Sequence, residues 1–477
     1  MVTGDTQGGA NRDLSASRLQ PFARVRSDRW AGRWFVAVLG GLFVLAVALR
    51  ILFALTAATP LDPGHIGDQY YYRTYAASLA DGHGISESLD GVYVPGALHA
   101  PGLSVVLAAA DLVGLRSPTE QRVAMAVVCS IGVVLVGLVG RRLGGPTLGL
   151  VAAFVAAVHP GWVQAGPDLL SEGLYMVAIS AAMLAALLFL DRPSWRRGLV
   201  VGLAIAGTAL VRSEGALLVV GLGIPLALVA AGRNWRRGLL LLGSVAVGAA
   251  LLIMPWMLRN QSRLGGLAFT TNQGATVVGA NCPDTYAGPR MGGFSHRCWL
   301  LSGLVPGISD QHNAVDRSRA LQRIGVEYAS DHASRLPVVA VARFARGWGV
   351  YASQDALTYD IIEDRNPGWQ RAGQYVHWVL LSLALVGAVL LPRRSWSRWL
   401  VPLAPVVTTS VVFVLFYGST RFRSGAEPSI ALFAAAGVVG LAARFWPDSS
   451  EAGSIGGDAP DPDRTDRPGD AQRVDSP

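Results

Sequence analysis

Apolar positions in this chain run in unbroken blocks instead of marking one face of each helix. Residues 34–56, 238–258 and 374–391 are the clearest cases, each close to the ~20 apolar residues a helix needs to cross a bilayer. A helix on a soluble core would interrupt such a block with polar positions at every turn. By this length criterion about ten segments span a membrane: 34–56, 122–140, 147–163, 172–190, 198–211, 216–231, 238–258, 374–391, 400–417 and 429–443. The fold class expected is an all-α polytopic membrane protein with interfacial helices and two long extracytoplasmic loops, at about 57–118 and 259–371.

Composition agrees. Hydrophobic residues make up 51% of the 477 and charged residues only 15%, where a soluble chain carries about a quarter charged. Every basic residue is arginine, and with the abundance of Ala, Gly and Val this points to a GC-rich bacterial genome. The net charge of +8 hides an acidic tail in which eight acids face three arginines after Trp446. Residues 1–33 are polar and lack an apolar stretch of signal-peptide type, so they are expected to form a disordered cytoplasmic arm. Residues 447–477, rich in Asp, Pro, Gly and Ser, are expected to form a disordered acidic cytoplasmic tail. The membrane domain is then 34–446.

Charge also orients the spans. Arg141 and Arg142, then Arg192, Arg196 and Arg197, then Arg233, Arg236 and Arg237, then Arg393, Arg394 and Arg398 fall in alternate loops. Placing all four clusters in the cytoplasm satisfies the positive-inside rule with both termini inside. The alternation closes only if 100–115, short and containing Asp111, is an interfacial or re-entrant helix that does not cross. Both long loops then face outward, in the inner membrane of a bacterium. The surplus of arginine is topogenic charge facing anionic lipid, and nucleic acid is not an expected partner.

The outward loops hold the candidate chemistry. Asp68 stands just beyond the first span, and on a helix it shares a face with Tyr71, Tyr72 and Tyr75. A carboxylate there serves as a general base or pairs with a cation, and tyrosines bond phosphate or stack on sugar. An interfacial aromatic belt with a capping aspartate accounts for the same pattern. Asp62, Asp168 and Glu172 are further acids on this side, and Arg212, Arg259, Arg421 and Arg423 are basic groups against the positive-inside trend. Arginine suits phosphate because its planar fork makes bidentate, permanently charged contacts. Cys282 and Cys298 share the second outer loop, where an oxidising compartment favours a disulfide, and Cys129 lies inside a span. No Cys/His spacing resembles a zinc site, and no phosphate-binding glycine loop or dinucleotide fingerprint occurs.

These pieces resemble a known family. Gly67-Asp68-x-x-x-Tyr72-x-x-Tyr75-Ala76, followed by Leu79-Ala80-x-Gly82-x-Gly84 and His99-x-Pro101, is similar to the first outer loop of GT-C glycosyltransferases. The branch it resembles is glycosyltransferase family 39, akin to protein mannosyltransferases and aminoarabinose transferases. Gly140-Arg141-Arg142-Leu143-Gly144, Pro255-Trp256-x-x-Arg259-Asn260 with Thr271-Asn272-x-Gly274, and Arg421-Phe422-Arg423-x-x-x-Glu427-Pro428 follow in matching order. The resemblance implies a sugar donor linked to polyprenyl phosphate, an envelope glycan, lipid or protein as acceptor, and inverting transfer on the extracytoplasmic face. It implies Asp68 as general base, its pKa raised by desolvation, with Arg212, Arg259, Arg421 and Arg423 on the donor phosphate and Tyr71, Tyr72, Tyr75 and His99 touching substrate. Many family members have Asp-Glu where this chain has Asp68-Gln69, so the role of that second acid is either absent here or supplied by Asp62, Asp168 or Glu172. Cofactor need differs across the superfamily, and the sequence assigns none; a divalent metal stays open. The competing readings are a lipid or polysaccharide transporter and a non-catalytic envelope scaffold. A transporter would be expected to show repeated halves and broken helices at mid-membrane.

Overall fold

Each apolar block folds into helix, and the interruptions lie where the chain places proline or glycine. The computed structural model describes residues 29–61, 66–305, 307–308, 313–392 and 396–445. Among them the only sheet is a two-stranded antiparallel hairpin, Ser86–Leu89 with Val92–Pro95. Among the described residues eight helices are long and apolar enough to cross a membrane, running from Gly32–Thr56 to Glu427–Phe445, against the about ten segments expected, because 147–163 is broken and the helix over 198–211 has only 17 residues. The expected polytopic all-α class is what the chain adopts.

Three details differ from the sequence reading. The first helix begins at Arg29, so part of the stretch assigned to the disordered arm continues the apolar helix; residues 1–28, like the tail 446–477, lie outside the described residues. The segment 147–163 is two helices, Pro146–Val158 and Pro160–Ala165. His159 separates them, its ring Nδ1 accepting from the Gly161 N–H, because Pro160 cannot donate back into the first helix. The segment 216–231 opens with a 3₁₀ turn at Ser213–Leu217 and a π-turn at Val219–Gly223 before Ile224–Ala231 becomes regular helix.

The helix at Gly102–Leu112 has 11 residues, about 16 Å at 1.5 Å per residue. That is about half the hydrocarbon thickness, so it does not span. Its Asp111 is buried and accepts a 2.6 Å hydrogen bond from Gln121.

Helices Pro118–Gly144, Pro146–Val158, Ser171–Asp191 and Glu427–Phe445 form the centre, while Gly32–Thr56, Trp235–Leu264 and Pro367–Leu390 turn apolar side chains such as Leu52, Leu251 and Val389 outward. Without a hydrophobic drive between helices in lipid, close backbone packing matters more. Gly387 and Gly437 supply it: a Cβ at either would run into backbone of the facing helix. At one end of the bundle Asp191 pairs with Arg142 at 2.6 Å and Arg398 at 3.1 Å, joining the arginine clusters of three loops. The two long connections meet at the opposite end, where the Thr271 N–H donates to Ala97 O.

Candidate active site

At the loop-bearing end, Asp68 opens the helix Asp68–Ala80, preceded by an extended Gly67. Its carboxylate is 23% exposed and doubly engaged. Arg421 Nη2 donates to Oδ2 at 2.6 Å, and His99 Nε2 lies 3.2 Å from Oδ1. His99 is held by stacking on Tyr72, with ring centroids 4.7 Å apart. Burial raises the Asp68 pKa, but the adjacent His99 and Arg421 outweigh it and hold the group well below the usual carboxylate range. Desolvation therefore does not dominate here, contrary to the sequence expectation, and the resting carboxylate is ionised.

Arg421 is the hub. Besides Asp68 it donates from Nε to Glu172 Oε1 at 2.6 Å and from Nη1 towards Glu363 Oε1 at 3.0 Å. Glu172 also receives Arg212 at 3.0 Å and Arg365 at 3.4 Å. Arg212 bonds Ser171 and Glu214 in addition. Three carboxylates around one guanidinium raise the Arg421 pKa against the opposing effect of burial, so it is permanently charged. Glu363 pays for the crowding: burial, then the negative charge of Asp68, raises its pKa to about 7 despite Arg421.

Two clefts open on either side of this cluster and share Asp68, Leu98, Asn272, Thr276, Tyr417 and Arg421 as their common wall. The first, about 420 Å³, carries Arg212, Glu214, His99 and Tyr72 and runs along span ends lined by Val211, Leu217, Val412, Leu415 and Phe416. The second, about 310 Å³, is built from the two long loops and the turn Tyr417-Gly418-Ser419 between the last two spans, and carries Tyr71, Phe294, His296, Trp299, Arg346 and Glu363.

The sequence candidates divide accordingly. Asp68, Tyr71, Tyr72, His99, Arg212 and Arg421 line a cleft, and Glu172 stands behind Arg421. Arg259 lines neither: its guanidinium donates to the carbonyls of Gly96 and Ile85 and braces the hairpin. Arg423 lines neither either. Its Nε donates to Glu427 at 2.8 Å and its Nη1 to Gln374 at 3.0 Å, an internal pair within the bundle. Tyr75 is buried with its hydroxyl donated to Glu87 at 3.0 Å. Asp168 is buried 3.8 Å from Arg365, away from both clefts, and burial raises its pKa to about 7. Asp62 lies outside the described residues.

Glu363 escaped the sequence reading. It follows the helix Ser353–Ile362 and precedes the span Pro367–Leu390, in the charged run Glu363-Asp364-Arg365. It stands where the Asp68-Gln69 departure asked for a second acid, and the Gln69 amide donates to its backbone carbonyl at 3.3 Å. Cys282 and Cys298 are joined by a disulfide, and Cys129 is free and buried. Among the described residues no group of three or more His, Cys, Asp or Glu is placed to hold a metal ion.

Residues 99–258 match the family described as dolichyl-phosphate-mannose-protein mannosyltransferase. The matched stretch contains His99, Glu172 and Arg212 and leaves Asp68, Glu363 and Arg421 outside it. No curated protein matches the chain. Among solved structures, the oligosaccharyltransferase of Archaeoglobus fulgidus tethered to an acceptor peptide aligns at 14% identity and TM-score 0.53, over 89% of this chain and 51% of its own. The same organism's oligosaccharyltransferase AglB, in complex with an inhibitory peptide and a dolichol-phosphate, aligns at 12% identity and TM-score 0.51, over 91% and 53%. The chain thus spans about half the length of these proteins. ArnT from Cupriavidus metallidurans, bound to undecaprenyl phosphate, aligns at 14% identity over 88% and 78%, with a TM-score of 0.41 that adds no weight. Residues 99–258 thus resemble that mannosyltransferase family, and the chain as a whole shares the fold of the matched half of these oligosaccharyltransferases.

Proposed function

We propose that this protein transfers a sugar from a polyprenyl-phosphate donor to an envelope acceptor, inverting the anomeric centre, at the extracytoplasmic face of a bacterial plasma membrane. The observation that carries the reading is the position of the Asp68–Arg421 pair in the wall between two unlike clefts. The cleft along the span ends suits a lipid carrier, whose apolar chain lies beside Val412 and Leu415 while its phosphate meets Arg212 and Arg421. The loop-built cleft suits the acceptor.

In this mechanism the acceptor hydroxyl gives its proton to Asp68 as its oxygen bonds to the anomeric carbon. The bond from that carbon to the phosphate oxygen breaks, and the lipid phosphate leaves with the electron pair. Arg421 and Arg212 stabilise the charge that develops on it. The donor phosphate competes with three carboxylates for Arg421, and each hydrogen bond it takes from Asp68 makes that carboxylate a stronger base.

Glu363 sets a pH dependence with a defined sign. Its folded-state pKa is raised to about 7, so below that pH it is neutral and leaves Arg421 to the donor. Above it, a third ionised acid competes. The donor KM is expected to rise by up to roughly tenfold between pH 6 and 8, about 1.4 kcal/mol, and Glu363→Gln to flatten that rise. A wild-type KM that stays level across this range removes the role assigned to Glu363.

The function itself is tested by deleting the gene and analysing the lipid extract and envelope glycans by mass spectrometry. A polyprenyl-phosphate sugar should accumulate while one glycan loses the same sugar. An unchanged lipid pool in cells with unchanged glycans would overturn the reading.

A further inference from the structure

The loop-built cleft carries a row of aromatic rings that the transfer chemistry does not use. Trp299 and His296 lie one turn apart on the helix His296–Gly303, with ring centroids 6.2 Å apart. Phe294 packs edge-on against His296 at 4.9 Å and at a tilt against Tyr417 at 5.1 Å, and Tyr417 stands in the wall shared by both clefts. The row therefore leads from the loop surface to the Asp68 carboxylate.

The row is fixed in place by its surroundings. Ser295 caps the helix by accepting from the Cys298 N–H, donates its hydroxyl to Asp284 at 2.8 Å, and gives its own N–H to Gly279 O. The disulfide ties Cys298, between the two outer rings in sequence, to Cys282. Gly279 is required at its position, since a Cβ there would collide with the Phe294 ring.

We infer that this row is the binding platform for a carbohydrate acceptor, so that the protein extends a glycan and does not modify a peptide. The inference rests on the transferase reading above. Pyranose rings present apolar C–H faces that pack on aromatic faces, and their hydroxyls need polar partners at the ring edge. The cleft offers Asn272, Thr276, Ser419 and Glu363 for that purpose. A peptide bound by strand addition would need a free strand edge to pair with. The hairpin Ser86–Pro95 contributes no residue to this cleft, whose walls include the helices Gln273–Ala280 and His296–Gly303 with their backbone groups already bonded internally.

The test is a binding measurement that needs no turnover. Saturation-transfer NMR is recorded on the full-length protein in detergent with three probes: maltotetraose, mannotetraose and a tetramer of N-acetylglucosamine. A hexapeptide containing serine and threonine is the comparator. At least one oligosaccharide should receive saturation on the C–H face of a ring, and Trp299→Leu should weaken its binding roughly tenfold. Trp299→Phe, which keeps a ring, should lose less. Because Trp299 also packs against the buried cluster of Val278, Ile308 and Leu321, the thermal unfolding of each variant is measured alongside, and His296→Ala serves as a second, independent removal of a ring. Equal oligosaccharide binding by the wild type and these folded variants overturns the platform, as does binding of the peptide alone or of none of the probes. Sugar binding that persists in a protein unable to use any lipid donor would instead sink the transferase reading and leave the platform standing.

Discussion

Replacing Asp68 by Asn is expected to lower kcat by about 10²–10⁴-fold, the usual worth of a positioned general base, with donor KM no higher than in the wild type, since one ionised competitor for Arg421 is gone. The substitution keeps the size of the side chain and its capacity to accept a hydrogen bond from Arg421. It removes the charge and the proton-accepting oxygen. Arg421 retains Glu172 and Glu363 as ionic partners, so the folded state should survive, and a melting curve near that of the wild type is the control. A fall in kcat and kcat/KM together is the signature of an interaction made only in the transition state. If Asp68→Asn turns over at the wild-type rate, Asp68 only positions Arg421 and His99, and Glu363 becomes the acid to examine.

The second large effect is expected from Arg421→Ala. This change leaves Asp68, Glu172 and Glu363 facing one another without the cation they surround. Removing one partner of a buried pair costs about 3–5 kcal/mol, and the 15% exposure of the Arg421 side chain places this case at the lower end. A lower unfolding temperature is therefore expected together with a marked rise in donor KM, because the phosphate loses its principal partner. Arg421→Lys restores the charge without the fork. It should recover stability more fully than donor affinity, since one ammonium cannot serve two acids and a phosphate with the same geometry. Equal donor KM in the wild type and in a folded Arg421→Lys variant would show that Arg421 is purely structural. Arg423→Ala separates the two arginines that the sequence left equivalent: with its guanidinium spent on Glu427 and Gln374, it should lose stability and leave donor KM untouched.

The spans were legible because lipid demands unbroken apolar length, and that signal is local. The break at His159 was hidden because Trp162 and Val163 keep the run apolar after Pro160. Asp68, His99 and Arg421 were each suspected from local context, but their meeting depends on elements 31 to 353 residues apart. For the same reason Arg259 and Arg423 looked like Arg421: an arginine beyond a span end carries no mark of whether its partner is a ligand, a hairpin carbonyl such as Gly96 O, or a buried glutamate such as Glu427. Glu363 was unreadable on the same grounds, because its importance comes from Asp68, Glu172 and Arg421 arriving around it. The aromatic row has no periodic pattern at all, since it is assembled from two loops and a disulfide-tied helix.

The central claim is chemical, and the most direct measurement follows the donor itself. Purified protein is placed in liposomes containing a polyprenyl-phosphate sugar labelled in the sugar, with envelope extract as the source of acceptor. Free polyprenyl phosphate and labelled product are then quantified together. Wild-type protein should release the two in equal amounts with the new linkage of inverted configuration, and Asp68→Asn should release neither above background. Lipid phosphate and labelled product formed equally well by Asp68→Asn, or formed by neither protein with any polyprenyl-phosphate sugar, would contradict the account.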